Sequence, residues 1–358
     1  MPRIKKSGKR NLQVPGWRRN IIEQLREGRV LPIVGNRMHN DLLLQGDRRT
    51  VSAYRDFLAE EHGYPPACIK DLSLPGLVRY HTIMLGAAEG KRLPGAELTV
   101  KREYLNFVKN RLFDLVEAGD TEGMMAGLLE EEEAQFDQHD FSLMAANLGR
   151  PVFGAPDTDS LLILAGFDIP IYITTSYHCF LEQALGAAGR RPRTGICSWW
   201  SFDPDLVPPV PDPFADDYEP SFLEPLVYHL HGLDSCPESL VLSEDDYLAF
   251  LVNISQDQVN TSQENKMIHP RLRHALSDSS LMVLGYDLGD WDFRSLLYGL
   301  IKRRPAQPRN QSVCDLQLQP SPEDLAFLER YMNDVDFEVF QGDFAEYLRQ
   351  VYVDLRRS

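Results

Sequence analysis

The sequence predicts an α/β chain: a doubly wound parallel sheet with helices on both faces and a helical insertion after the first strand. Three observations carry this. Short apolar runs such as Val30-Leu31-Pro32-Ile33-Val34 and Leu281-Met282-Val283-Leu284 end directly on a glycine, the pattern of a buried parallel strand that opens onto a loop. Stretches with helical spacing separate successive runs and are long enough to act as crossovers. With 43% hydrophobic and 10% aromatic residues among 358, the chain can build one large core with an insertion, which excludes a disordered protein.

The elements follow in order. Residues 1–16 read as a basic arm, part of a cluster of Lys5, Lys6, Lys9, Arg10, Arg18 and Arg19. Such a cluster is either a docking arm for an acidic partner or nucleic acid, or a solvated terminus, and the terminus is the favoured reading. Residues 17–358 read as the folded body. Trp17 to Gly28 is an amphipathic helix carrying Ile21, Ile22 and Leu25, and Gly28 stops it. After the Val30–Val34 strand come helices near Val51–His62, Leu72–Leu85 and Ala96–Leu115, so an insertion spans about residues 50–150. Within it Glu130 to Glu133 form an acidic run expected on a solvated helical face.

From Pro156 onward strand and helix alternate. Ile169–Ile173, Thr194–Trp199, Leu226–Leu230, Leu281–Leu284, Val313–Leu318 and Phe337–Phe340 are the expected strands. Cys179–Leu185 and Trp291–Ile301 are helices, and Ser243 with Asp246 three residues on marks a helix start. The Pro- and Asp-rich stretch from Asp203 to Pro225 is a loop. Together these give a Rossmann-like order of elements.

Charge and cysteine usage bound the function. A net charge of −16, from 53 acidic against 37 basic residues, repels phosphate backbones and argues against nucleic-acid binding. No apolar run reaches the roughly 18–20 residues needed to cross a bilayer, and no apolar segment follows the basic start as in a secretory leader. Cys68, Cys179, Cys197, Cys236 and Cys314 are scattered and never form a CxxC pair, so neither a disulfide framework nor a zinc ribbon is expected and a reducing cytoplasm is the natural compartment. The absence of a G-x-S-x-G elbow argues against a serine hydrolase.

In an open parallel sheet, ligands bind beyond the carboxyl ends of the strands. The residues there are Gly35-Asn36-Arg37, Thr174-Thr175-Ser176-Tyr177-His178, His229-Leu230-His231-Gly232, Gly285-Tyr286-Asp287 and Gly342-Asp343. Most of these sites begin or end on glycine, which lets backbone approach phosphate closely. Their joint placement points to a nucleotide crevice.

These same segments carry a family resemblance. Ile171 to His178 followed by Leu181-Glu182 resembles the TTNYD strand and loop of sirtuin-like proteins. Val227 to Gly232 resembles the segment holding that family's catalytic histidine, and Leu281 to Asp290 resembles its later glycine loop. Ser239 to Tyr247 and Phe340 to Asp343 are similar to segments of bacterial members, and the likeness runs from about Arg19 to Leu355. Without the two CxxC pairs of the protein-deacylating branch, the chain resembles the bacterial defence-associated branch. That resemblance implies cleavage of NAD to nicotinamide and ADP-ribose. It also implies a cytoplasmic homo-oligomer, controlled by a partner ATPase or trigger protein, with no metal required.

By the same resemblance His231 is the candidate base, with His229 two residues earlier on the same strand face as the alternative. Otherwise the two histidines terminate a strand. Ser176 stands where the family has an asparagine that orients the ribose, and His178 where it has an aspartate that holds nicotinamide. Ser176 reaches less far than an amide, and His178 lacks a carboxylate's acceptor-only character. Gly35, Asn36, Thr175, His178, Gly285, Tyr286, Asp287, Gly342 and Asp343 are the expected dinucleotide contacts. Gly35 is followed by Asn36, Arg37 and Met38 rather than small residues, which alters the pyrophosphate loop. A pocket without catalysis, serving as an NAD or ADP-ribose sensor or scaffold, is the alternative. Asp287, Asp290 and Asp292 are read as helix-capping groups rather than metal ligands, and Trp199 and Trp200 as core.

Overall fold

The computed structural model describes residues 3–6, 16–38, 47–89, 93–120, 122–200, 210–259, 267–287, 289–301, 314–318, 337–341 and 344–357. Its strands are β1 (Arg3–Lys6), β2 (Val30–Val34), β3 (Ile171–Thr174), β4 (Arg193–Ile196), β5 (Leu226–His229), β6 (Ser280–Tyr286), β7 (Cys314–Leu318) and β8 (Phe337–Gln341). They form one sheet in the order β1-β8-β7-β6-β2-β3-β5-β4, and every neighbouring pair is parallel. The expected doubly wound sheet is present.

Residues 3–6, read from sequence as part of a solvated basic arm, instead form the edge strand β1, with Ile4 opposite Val339 of β8. Backbone pairing to one neighbour is all an edge position requires, and charged residues suit such an edge. Pro32 sits in the middle of β2, which looks wrong for a central strand. However, β3 pairs only with Ile33 and Val34, so Pro32 lies where β2 is joined to β6 alone.

The helices are α1 (Gly16–Arg26), α2 (Asp47–Glu61), α3 (Pro66–Ile69), α4 (Leu74–Glu89), α5 (Leu93–Gly119), α6 (Ala126–Ala134), α7 (Phe141–Asn147), α8 (Ser160–Ala165), α9 (Phe180–Ala187), α10 (Glu244–Val259), α11 (Pro270–Asp278), α12 (Trp291–Leu296) and α13 (Phe344–Arg357). A π-helical turn over Leu297–Ile301 continues α12. The sheet's period-two alternation divides the core. Leu31, Ile33, Leu281 and Val283 face one layer with Phe250, Leu272 and Phe293 of α10, α11 and α12. Val30, Val34, Met282 and Leu284 face the other, with Ile21, Leu164, Leu181 and Val351 of α1, α8, α9 and α13.

A third core lies in the insertion between β2 and β3, where Tyr54, Leu58, Val78, Tyr104, Val108 and Phe141 pack together. Phe180, Leu240 and Leu242 from the sheet-bearing part complete it. Two polar links reinforce the junction. Lys101 of α5 meets Asp246 of α10 at 2.8 Å, with both side chains buried. Asp234 accepts hydrogen bonds from the backbone N–H and hydroxyl of Ser142, each at 2.6 Å, and that hydroxyl accepts one from the Cys179 N–H at 2.9 Å. The acidic run is not wholly solvated either: Glu132 is buried and bonds to His139 and Asn147, because α6 turns it inward against α7.

Candidate functional site

The strand order reverses at β2. The chain leaves it for β3 on one side and returns past it to β6 on the other, which places a ligand crevice at the carboxyl ends of these strands. The first loop there, Gly35 to Met38, is tightly built. The Gly35 N–H donates to the Leu284 carbonyl at 2.8 Å, so this amide belongs to the sheet. A side chain at Gly35 would put a Cβ 2.6 Å from the Gly285 carbonyl and 2.8 Å from the Tyr286 ring. Gly285, with φ of +75°, leaves equally little room against Met38. The glycines are thus required by the packing of one loop on the other.

Tyr286 is buried and its hydroxyl meets Thr175 Oγ1 at 3.0 Å, which ties β6 to the loop after β3. Burial raises its pKa, so the phenol is a neutral hydrogen-bonding group. Thr174 Oγ1 donates to the Val34 carbonyl and accepts from the Ser176 N–H, both at 3.0 Å. Asp287 caps its own turn by accepting from the Gly289 N–H at 3.0 Å.

The two histidines differ sharply. His229 is fully buried, with Nδ1 2.8 Å from the Ser176 carbonyl and Nε2 2.7 Å from Glu182. Both nitrogens face acceptors. Burial pulls the His229 pKa down, but the adjacent Glu182 carboxylate outweighs it and leaves the imidazole above its ordinary value. His229 therefore acts as a fixed cross-link between β5, the loop after β3 and α9.

His231 lies just past β5, where Gly232 adopts φ of +89° and a Cβ would come 2.2 Å from the Ser239 carbonyl. Its ring packs edge-on against Tyr247 and Phe250. Nε2 is 3.1 Å from Ser295 Oγ, and Ser295 donates to the Asp292 carbonyl at 2.9 Å. With the serine proton used there, Nε2–H donates to Ser295 and Nδ1 is left as the basic nitrogen. Among the described residues Nδ1 has no hydrogen-bond partner, and it stands 3.5 Å from Asp292 Oδ1. The same carboxylate accepts from the Tyr247 hydroxyl and, at 3.2 Å, from Asn36 Nδ2. Burial, followed by Asp292 beside it, holds the Tyr247 phenol well above its usual pKa and therefore neutral.

Asn36, His231, Tyr247, Asp292 and Ser295 thus form one network across the crevice. At these strand ends Asn36 Oδ1 and Ser176 Oγ are likewise buried with no partner among the described residues. Such orphaned groups are costly in a protein interior and mark where something else bonds. They are two acceptors and a hydroxyl, a set suited to the hydroxyls of a ribose and the amide of a carboxamide.

The structure brings His231, Asn36 and, at the next strand end, Ser176 to the crevice. His178 turns away: it is buried and its ring stacks on Phe180 at 3.9 Å, with Phe141 and Tyr177 around it, on the side of the helical insertion. Gly342 and Asp343 lie outside the described residues. Sequence reasoning treated Asp292 as a cap, gave Tyr247 no role at the site, and missed Ser295. Their one signal was spacing, since Asp292 and Ser295 share a helical face immediately after the Gly285 loop.

The fold and this network define a Rossmann-like α/β protein with a histidine–carboxylate pair at its switch point. Residues 170–340 match the family model of the SIR2-like domain, which runs from β3 into β8 and leaves β1, β2 and the insertion outside. Over these residues the chain is similar to the SIR2-like domain, a likeness that suggests an NAD-related function. No curated protein matches it.

Proposed function

We propose that the crevice beyond β2, β3, β5 and β6 binds NAD and hydrolyses its nicotinamide–ribose bond. The observation that carries this reading is the set of three buried atoms without a partner among the described residues, Asn36 Oδ1, Ser176 Oγ and His231 Nδ1, at neighbouring strand ends of a Rossmann-like sheet that includes a stretch similar to the SIR2-like domain. In the reaction nicotinamide leaves with the bonding electron pair as a neutral group. Water adds to the ribose carbon of an oxocarbenium-like state and gives its proton to His231 Nδ1. Asp292, 3.5 Å away, stabilises the imidazolium that results. Ser176 orients the ribose and Asn36 the carboxamide or its water, while Thr175, Tyr286, Gly285 and Asp287 wall the cleft. The biological reading is a cytoplasmic antiviral or conflict effector, homo-oligomeric, released by a partner ATPase or trigger protein.

A second reading has its own support: an NAD or ADP-ribose binding module that has lost turnover. The Gly35 amide is engaged with Leu284 and the loop is closed by Tyr286, so the usual backbone approach to a pyrophosphate is altered. The test follows nicotinamide release from NAD by the purified chain, and NAD levels in cells expressing it. His231→Ala should lower turnover by about 10²–10⁴-fold, the usual contribution of a general base. His229→Ala should instead lower stability. Turnover unchanged in His231→Ala overturns the assignment, and ADP-ribose binding without turnover in either setting decides for the module.

A further inference from the structure

The helical insertion holds a cluster with no part in the NAD reading. His62 follows α2, His81 lies on α4 and Glu103 on α5, and their donor atoms fall within 4.8 Å of one another. Each histidine presents Nε2 to a different oxygen of the one carboxylate: His81 at 2.9 Å from Oε2, His62 beside Oε1. The rings lie 4.3 Å apart between centroids. His81 is fully buried, whereas His62 and Glu103 are each 24% exposed on their side chains, so the cluster opens to solvent on one side.

We propose that His62 Nε2, His81 Nε2 and the Glu103 carboxylate bind a zinc-class divalent ion, with a fourth position open to water. Two imidazoles and one carboxylate are a common zinc set. Tetrahedral bonds of about 2.0–2.2 Å place ligand atoms about 3.3 Å apart, so small side-chain rotations suffice. The ligand behind His81 fits too. Its Nδ1 lies 2.9 Å from the Tyr64 hydroxyl. Without metal that hydroxyl donates to Nδ1; with metal on Nε2, Nδ1 carries the proton and the hydroxyl accepts it. A hydroxyl serves both tautomers, and such outer partners fix a ligating ring. The ion would clamp α2, α4 and α5 together.

The experiment uses the full chain, purified without a polyhistidine tag and stripped with chelator, titrated with zinc by calorimetry and with cobalt by visible absorption. The expected result is one ion per chain, the strong absorption of tetrahedral cobalt, and a higher melting temperature with metal. Tyr64→Phe should weaken binding by about 10–100-fold, and His62→Ala or Glu103→Gln by at least as much. His62 is partly exposed, so its variant keeps the test open if His81→Ala fails to fold. Cys179→Ser should leave binding unchanged, which separates this site from the Cys179, Glu182 and His229 group near β5. No zinc uptake by the wild-type chain overturns the proposal, as does uptake that survives both His62→Ala and Glu103→Gln.

Discussion

Lys101→Met tests how the insertion is fastened to the sheet-bearing part. The ammonium of Lys101 lies 2.8 Å from Asp246 Oδ1 and 5.3 Å above the Trp199 ring, with both charged side chains about nine-tenths or more buried. Removing one member of a buried pair leaves an uncompensated charge, at a cost of about 3–5 kcal/mol. Asp246 keeps part of its solvation, because Oδ2 still accepts the N–H groups of Leu242 at 3.1 Å and Ser243 at 2.8 Å. The expected loss is therefore at the low end, about 3 kcal/mol. With ~2.1 cal/mol/K of unfolding entropy per residue this lowers Tm by about 4 °C. Methionine retains the aliphatic stem, so the loss reports the charge. The assay is calorimetric unfolding of the wild type, Lys101→Met, Asp246→Asn and the double variant. In the double variant no charge is orphaned, and the coupling energy should be about 2 kcal/mol. A Tm within 1 °C of wild type for Lys101→Met, or additive losses across the cycle, refutes the reasoning.

Two more outcomes follow from the junction and the site. Burial, with Asp140 adding to it, pushes the Asp234 carboxyl up to about 7 against the hold of the Ser142 hydrogen bonds. The folded state thus keeps that proton longer than the unfolded one. This stabilisation is full below about pH 4 and is lost as pH rises to about 7, a change of roughly 4 kcal/mol at 1.36 kcal/mol per unit. Asp234→Asn should flatten that slope in urea titrations between pH 5 and 7; an unchanged slope would assign it to other groups. Gly232→Ala combines a φ of +89° with a Cβ 2.2 Å from a carbonyl oxygen, so a loss of about 3 kcal/mol or more is expected in thermal unfolding. A variant as stable as wild type would show that the His231 turn can relax.

The parallel sheet was legible because each central strand is a compact apolar run with a glycine or polar loop behind it. The capping pair was legible as well: Ser243 Oγ accepts from the Asp246 N–H at 3.0 Å while Asp246 accepts from Ser243 N–H. β1 was not, since Arg3-Ile4-Lys5-Lys6 has no apolar pattern and owes its strand to backbone pairing with β8. At the site the strand-end rule found Asn36, Ser176 and His231, because they are adjacent to strands. It gave no sign that His229 would be locked by Glu182 or that His178 would face the helices. Those outcomes depend on which way a loop residue turns, and that is set by partners distant in sequence. The His62, His81 and Glu103 cluster was invisible for the same reason, as three helices with irregular spacing bring it together.

The stretch of about residues 50–150 reads as a helical insertion in the sequence, yet it is not a separable one. Excising it would strip the cover from Phe180, Leu240 and Leu242 and take Ser142 from Asp234 and Lys101 from Asp246. The excised helices would in turn lose the three apolar groups that close their core. Neither piece is a cassette. A chimera that borrows these helices from another protein must therefore also borrow the matching residues at 180, 234, 240, 242 and 246. Because Tyr247 follows Asp246 directly, the seam of any such graft runs one residue from the network of Asn36, His231, Asp292 and Ser295.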